Sequence, residues 1–278
     1  MSELLGAAEI RSLASELGVS PTKKLGQNFV IDPNTIRKIV AVAKLTGTET
    51  VVEIGPGLGS LTLGLLEVVE NVIAVEIDNK MAQAIEKTVR SKEPNKNFQL
   101  VHADALKVKE LPGKPDALVA NLPYNISVPV LLHFLEHFPS ISSGVVLVQA
   151  EVAHRLAATP GSKVYGAPSV KLAWYAESNL AGNVGRNVFW PAPNVDSALV
   201  YFKKRKDSLG DEELRKKTFA VIDDAFLHRR KTLRQAIANF AGSPVLAEEL
   251  LTKAGISPTA RGEDLSILDF VAIAKAHS

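Results

Sequence analysis

Between residue 50 and about residue 150 the chain repeats one unit, a short β-branched apolar run followed by a stretch with helical spacing. The runs are TVVEI, NVIAVEI, FQLVHA, DALVAN and GVVLVQ, and the segments SLTLGLLEVV, NKMAQAIEKTVR and VPVLLHFLEHF lie between or beside them. Apolar runs of this length, alternating with helices, mark strands of a parallel sheet covered on both faces, so the pattern predicts a doubly wound α/β fold. After Val164 the texture changes. Trp174–Glu177, Val188–Trp190 and Ser197–Phe202 are expected as later strands, some antiparallel, added at a sheet edge. The basic run at 203–206 marks a boundary, beyond which ELRKKTFAVIDDAF, RRKTLRQAIANF, VLAEELLTKAG and DLSILDFVAIAKA are expected as helices. The expected organisation is therefore an α/β domain over 1–204 and a small helical domain over 205–278.

Ahead of the alternating region, residues 3–17 have helical spacing (Leu5, Ala8, Leu13, Leu17) and stop at Gly18, with Pro21 beyond. A loop, KKLGQNFVID, follows, and a second helix is expected behind Asp32 with Pro33 in its first turn. The N-terminus carries Glu3, Glu9 and Glu16 and has no continuous apolar stretch, so it does not read as a targeting peptide. No apolar run approaches the ~18 residues that span a bilayer. The chain has no cysteine, which excludes disulfides and thiolate-bound metal. A cytoplasmic protein is expected, with a monomer as the default.

The glycines carry the first functional signal. The first strand runs into Glu53-Ile54-Gly55-Pro56-Gly57-Leu58-Gly59 and then a helix, where glycines let the backbone approach a ligand. A dinucleotide fingerprint would place glycine where Ser60 stands. The spacing here is G-x-G-x-G behind an acid, which favours S-adenosylmethionine, a cation without phosphate, over NAD. Glu76, 21 residues past Gly55 at the end of the next strand, is placed to accept bonds from ribose hydroxyls. Asp104 ends the third strand and is placed to meet an adenine amine.

The fourth strand delivers Asn121-Leu122-Pro123-Tyr124. Adenine N6 is a poor nucleophile because its lone pair is delocalised into the ring. Two acceptors on the amine, the Asn121 side-chain oxygen and the Leu122 carbonyl, would localise that pair, and Tyr124 offers a face for a flipped base. The plain alternative is an Asx-Pro turn with a packed tyrosine. Phe189-Trp190-Pro191-Ala192-Pro193 presents a second aromatic group, in which Phe189 or Trp190 can close the other face of the base or pack as an edge strand. Gln27-Asn28-Phe29 can cover a cofactor or cap the sheet.

Together these segments resemble one family. LGQNF at 25–29, VEIGPGLGSLT at 52–62, VEID at 75–78, HADAL at 102–106, NLPYNIS at 121–127 and FWPAPNVDSALV at 189–200 are similar to the small-subunit ribosomal RNA adenine N6,N6-dimethyltransferases, the KsgA/RsmA family. FLHRRKTLRQAI at 226–237 and EDLSILDF near the end resemble that family's helical domain. The resemblance implies a Rossmann-like class I S-adenosylmethionine methyltransferase domain with a small C-terminal α-helical domain. It implies that Asn28, Val30, Gly55, Gly57, Glu76, Asp104 and Asn121 line the S-adenosylmethionine pocket. Asn121, Leu122 and Tyr124 would hold the target base, with Phe189 stacking. The implied substrate is a pair of neighbouring adenosines in a loop near the 3′ end of small-subunit (16S) rRNA, in the immature subunit. Trp190 is bulkier than the family pattern suggests, and Leu227-His228 stand where small polar residues are expected.

Charge adds a partner to this reading. From Lys203 to Arg234 eleven basic residues face six acidic ones, a local +5 within a chain of net +2, as suits a surface for a polyanion. Arg229, Arg230, Lys231 and Arg234 are the expected phosphate contacts on one helix face. His102 reads as a strand-end packing residue, and His133 and His137 as a helix surface, so no metal is expected. The competing readings are a large-subunit rRNA adenine methyltransferase of the antibiotic-resistance type and a non-catalytic ribosome-assembly factor. A DNA N6-adenine methyltransferase fits less well, because no separate segment is suited to reading a duplex.

Overall fold

The computed structural model describes residues 4–18 and 28–277, so Pro21 and Gln27 lie outside the described residues. The first helix, α1 (Ala7–Glu16), is shorter at its start than the spacing suggested. A two-residue strand, β1 (Phe29–Val30), leads into α2 (Pro33–Ala43). As expected, Asp32 caps α2: its carboxylate accepts from the backbone N–H groups of Asn34 and Thr35, and Pro33 needs no partner there.

The alternating region then folds as β2 (Thr50–Ile54), α3 (Ser60–Leu66), β3 (Asn71–Glu76), α4 (Asn79–Lys92), β4 (Asn97–His102), β5 (Ala117–Asn121), α5 (Ser127–His137) and β6 (Ser143–Gln149). Every predicted run is a strand and every predicted segment a helix. Two further helices, α6 (Ala150–Leu156) and α7 (Ala167–Tyr175), precede β7 (Ala176–Val184), the two-residue β8 (Phe189–Trp190) and β9 (Ser197–Lys204). Trp174 is thus helical, and its strand begins only at Ala176.

Seven strands form one sheet in the order β4-β3-β2-β5-β6-β9-β7. From β4 to β6 neighbouring strands run parallel, and β9 is antiparallel to β6. As expected, these later strands extend one edge of the parallel sheet, β9 lying between β6 and the outermost strand β7. β8 leaves the sheet altogether and pairs with β1, with Val30 opposite Phe189 and Phe29 opposite Trp190. The parallel strands β2, β3, β5 and β6 are buried almost throughout, which their unbroken apolar runs require. The strand order reverses direction at β2: the chain goes outward through β3 and β4, then returns to lay β5 on the other side. A crevice opens at the carboxyl ends of strands at such a point, and here it lies beyond Ile54 and Asn121.

The remaining helices are α8 (Glu212–Leu227), α9 (Leu233–Ala236), α10 (Ala238–Ala241), α11 (Pro244–Lys253) and α12 (Ile267–Ala276). The expected RRKTLRQAIANF helix is interrupted: residues 228–231 form a turn closed by a 2.8 Å bond from the Lys231 N–H to the His228 carbonyl. Two of the N–H groups that open α9 donate to the carbonyls of Ala260 and Pro258, which fixes a fresh helix start.

The compact units do not follow the expected boundary at 204. One unit contains the described residues through Ala153 together with Leu180–Lys203; the other contains His154–Asn179 together with the chain from Lys204. The reason is apolar packing. Tyr165, Val170 and Trp174 belong to the same buried cluster as Val221, Ile222 and Phe270, and the Tyr165 hydroxyl donates to the Leu265 carbonyl at 2.8 Å. Among the described residues no helix is long and apolar enough to cross a membrane.

Candidate active site

The crevice at the strand reversal is a cavity whose described lining residues all belong to the first unit, between residues 28 and 126. All seven residues expected at the cofactor line it, and so do Leu122 and Tyr124. The turn after β2 is left-handed at Gly55 (φ +68°) and Gly57 (φ +57°), a conformation other residues adopt only at a cost. At Gly57 there is also no room, since a Cβ would lie 2.8 Å from Cε1 of Phe29. Only glycine lets this loop approach both β1 and a ligand.

That turn also fixes an acid. The Glu76 carboxylate accepts from the backbone N–H of Gly57 (3.3 Å) on one oxygen and from those of Ile77 and Asp78 (both 2.9 Å) on the other. Burial pushes its carboxyl above the usual range, and these three bonds oppose that push. A carboxylate held in one orientation at the second strand end is the acceptor that a pair of vicinal hydroxyls needs. Asp104 is half-buried across the cavity, with one oxygen on the Leu106 N–H at 3.0 Å and the other 3.6 Å from the Lys107 ammonium. His102, at the end of the same strand, is exposed and within 3.2 Å of the Ile77 carbonyl.

A further acid sits deeper. Glu53 is 1 % exposed inside β2, accepts from the Thr62 hydroxyl at 2.5 Å and lines the same cavity. Burial, with Glu76 repulsion added, pushes its carboxyl up to about 8 against the Thr62 bond. In the sequence this acid, standing before the glycines, favours S-adenosylmethionine over NAD, but it is not among the expected cofactor-binding residues. Its signal was an acid inside an otherwise apolar strand, TVVEI, where a charge has no structural use. Among the described residues the ionisable side chains lining the cavity are therefore Glu53, Glu76, Asp104 and Tyr124, with no lysine, arginine or histidine. Such a wall repels phosphate and suits a cation carrying a ribose and an adenine.

At the mouth of the cavity Asn121 ends β5. Its Nδ2 donates to the Asn28 carbonyl at 2.9 Å. Because a carbonyl can only accept, this bond commits the amide nitrogen and leaves Oδ1 as the acceptor for a ligand. Tyr124 is half-buried in the turn behind Pro123, and its hydroxyl lies 2.7 Å from Oγ of Ser197. Burial raises the tyrosine pKa, Asp196 adds to the rise and the Ser197 bond opposes it.

Phe189 does not join this site. It is 2 % exposed, packs in the main core and does not line the cavity, because the β1–β8 pairing turns it inward. Trp190 packs against the same core, its ring centroid 6.3 Å from that of Phe29. In the second unit, the expected phosphate contacts divide into two kinds. Arg229 pairs with Glu263 at 3.0 Å and Arg234 with Glu248 at 3.1 Å. Arg230 and Lys231 are exposed in the turn and form no ion pair among the described residues. His133 bonds the Val108 carbonyl at 2.6 Å, and no cluster of metal-ligating residues occurs among the described residues.

Residues 19–278 match the family model for ribosomal RNA adenine dimethylase. The chain belongs to that family. Members named ribosomal RNA small subunit methyltransferase A are 60 % identical to it over 98 % of both chains in Leifsonia xyli, and 59 % identical over 99 % of this chain and 94 % of theirs in Paenarthrobacter aurescens. Among solved structures, a dimethyladenosine transferase from Plasmodium falciparum superposes with a TM-score of 0.74 at 25 % identity, over 87 % of this chain and 94 % of that one. The Rossmann-like α/β fold is that of the S-adenosylmethionine methyltransferases, and S-adenosylmethionine is the cofactor of the adenine dimethylase family. A largely apolar cavity whose carboxyl groups are Glu53, Glu76 and Asp104 fits it.

Replacing Glu76 by alanine is expected to weaken S-adenosylmethionine binding by about 1.5–3 kcal/mol, roughly 10- to 150-fold. The side chain lines the cavity and also ties down Gly57. Calorimetric titration reads the effect directly, and unchanged affinity would remove Glu76 from the cofactor wall.

Proposed function

We propose that this chain is an S-adenosylmethionine-dependent rRNA adenine N6,N6-dimethyltransferase that modifies two adjacent adenosines near the 3′ end of small-subunit (16S) rRNA in the immature subunit. The observation that carries the chemistry is the committed amide of Asn121 beside a cavity whose charged side chains, among the described residues, are all acids. The choice of small-subunit RNA is supported by relatives at 54–60 % identity that bear that substrate in their names.

Glu76 accepts the ribose hydroxyls of the cofactor, Asp104 accepts its adenine amine, and the glycine turn with Asn28 and Val30 encloses it. When bound, S-adenosylmethionine supplies an electrophilic methyl group and leaves as a neutral thioether. Asn121 Oδ1 and the Leu122 carbonyl accept the two N–H bonds of the target amine, which concentrates its lone pair on nitrogen and aims it at the methyl. The alkylated amine is then strongly acidic and loses its proton to water, so no general base is needed. Tyr124 stacks on the extruded base. The second methyl transfer repeats the step with one N–H remaining. Arg230 and Lys231, not engaged with acids, contact RNA phosphate.

Incubating the protein with labelled S-adenosylmethionine and unmethylated small subunits, then digesting the RNA to nucleosides, tests this reading. Label in N6,N6-dimethyladenosine at two adjacent positions is expected. Label only in large-subunit RNA, or cofactor binding without transfer, would refute it.

A further inference from the structure

Tyr124 lies in a turn, and a stacking platform in a turn needs something to hold its plane. The turn is closed by a bond from the Ile126 N–H to the Pro123 carbonyl at 3.2 Å. The far end of the tyrosine is held differently. Its hydroxyl lies 2.7 Å from Oγ of Ser197, a residue with 0 % exposure at the first position of β9. β9 is an interior strand: Ser197 stands opposite Gln149 of β6, and the Ala150 N–H continues the pairing to the Asp196 carbonyl at 2.9 Å. Asp196 is fixed on its other side by the Arg186 N–H at 3.2 Å. A loop tyrosine is thus pinned at its tip to a rigid, fully buried point of the central sheet.

We propose that Ser197 is a positioning residue for methyl transfer, holding the Tyr124 ring in the plane on which the target adenine stacks. The proposal rests on the base-stacking reading of Tyr124 given above. Without the bond the ring keeps its aromatic face and is free to turn about its side-chain bonds, so the base still enters but its amine is less often in line with the methyl group. The phenol remains protonated well above neutral pH, because burial and Asp196 disfavour its ionisation, and the bond persists across the working range.

The test uses the full chain in four forms, Ser197→Ala, Tyr124→Phe, the double variant and Tyr124→Ala, each with unmethylated small subunits. Single-turnover transfer at saturating cofactor and subunits should fall about five- to tenfold in each of the first two, the worth of one hydrogen bond. The double variant should be no slower than either, because both substitutions remove the same bond. The subunit concentration for half-maximal rate and the calorimetric cofactor affinity should stay unchanged. With 2-aminopurine at the target position, the quenching that reports stacking should weaken in both single variants. Multiplying effects, or an unchanged rate in Tyr124→Phe, would overturn the proposal. Tyr124→Phe changes only a half-exposed side chain, so it decides the matter even if Ser197→Ala folds poorly. Normal transfer by Tyr124→Ala would refute the stacking reading itself, whereas a slow Tyr124→Ala with a normal Tyr124→Phe would refute only the anchor.

Discussion

Alanine at Asn121 should slow methyl transfer by about 10²–10³-fold at saturating cofactor, the usual cost of losing one preorganised acceptor from a reacting centre. The amide is held before substrate arrives: its nitrogen is on the Asn28 carbonyl and its oxygen is left for the incoming amine. An acceptor that needs no reorganisation acts mainly on the transition state, where positive charge builds on N6. RNA affinity should change far less, because it is spread over many phosphate contacts. Cofactor affinity should drop somewhat, since the substitution also removes the bond to the Asn28 carbonyl, a neighbour in the same cavity wall. Single-turnover transfer to unmethylated subunits, with mono- and dimethyladenosine counted separately, isolates the chemical step. The second methyl should be affected at least as strongly as the first, because the monomethylated amine has only one N–H to offer. Near-normal transfer at saturation would reduce Asn121 to the polar corner of a turn, and the mechanism would fall with it.

Glutamine at Glu53 should stabilise the cofactor-free protein at alkaline pH and leave it little changed in acid. In the unfolded chain this carboxyl ionises near its ordinary 4.5, whereas the fold retains the proton up to about 8. Between those values the folded state holds one more proton than the unfolded state, so its contribution to stability is complete below pH 4.5 and is lost as pH rises towards 8. At about 1.4 kcal/mol per unit of displacement, the loss amounts to several kcal/mol. Glutamine can still accept the Thr62 hydroxyl and has no charge to bury. Urea unfolding of both proteins at pH 5 and pH 9 measures the difference, with the titrating groups not coupled to Glu53 cancelling between them. Parallel pH profiles would mean that Glu53 is ionised in the empty cavity and that its charge is already compensated.

Much of this was legible in the chain, for identifiable reasons. Five apolar runs between residues 50 and 149 can be satisfied only by a doubly covered parallel sheet, and the acids and glycines at their ends then meet at one crevice. Asp32-Pro33 announced a helix start through local chemistry alone. What failed depended on partners distant in sequence. Trp174 has strand propensity but is helical because it packs with Phe219 and the α8–α12 cluster. Phe189 faces inward because two residues of β8 pair with β1, a register that no pattern of two residues can encode. The basic run at 229–231 kept its exposure but not its helix, since Arg229 is drawn to Glu263, 34 residues on. Glu53 was visible as an acid inside a strand, but only the cavity gives it meaning.

The threading of His154–Asn179 into the second unit governs how the protein can be taken apart. A fragment ended at Lys204 retains every residue of the cavity, yet it carries Tyr165, Val170 and Trp174 without the helices that cover them. A fragment begun at Lys204 lacks those same three side chains from its own interior. The first fragment keeps the main core but bears an uncovered apolar segment, and the second has lost part of its own core, so the chain is two units in space but one in inheritance. Recombination with a relative, whether in the laboratory or over evolutionary time, needs three matched junctions rather than one for either unit to be exchanged intact.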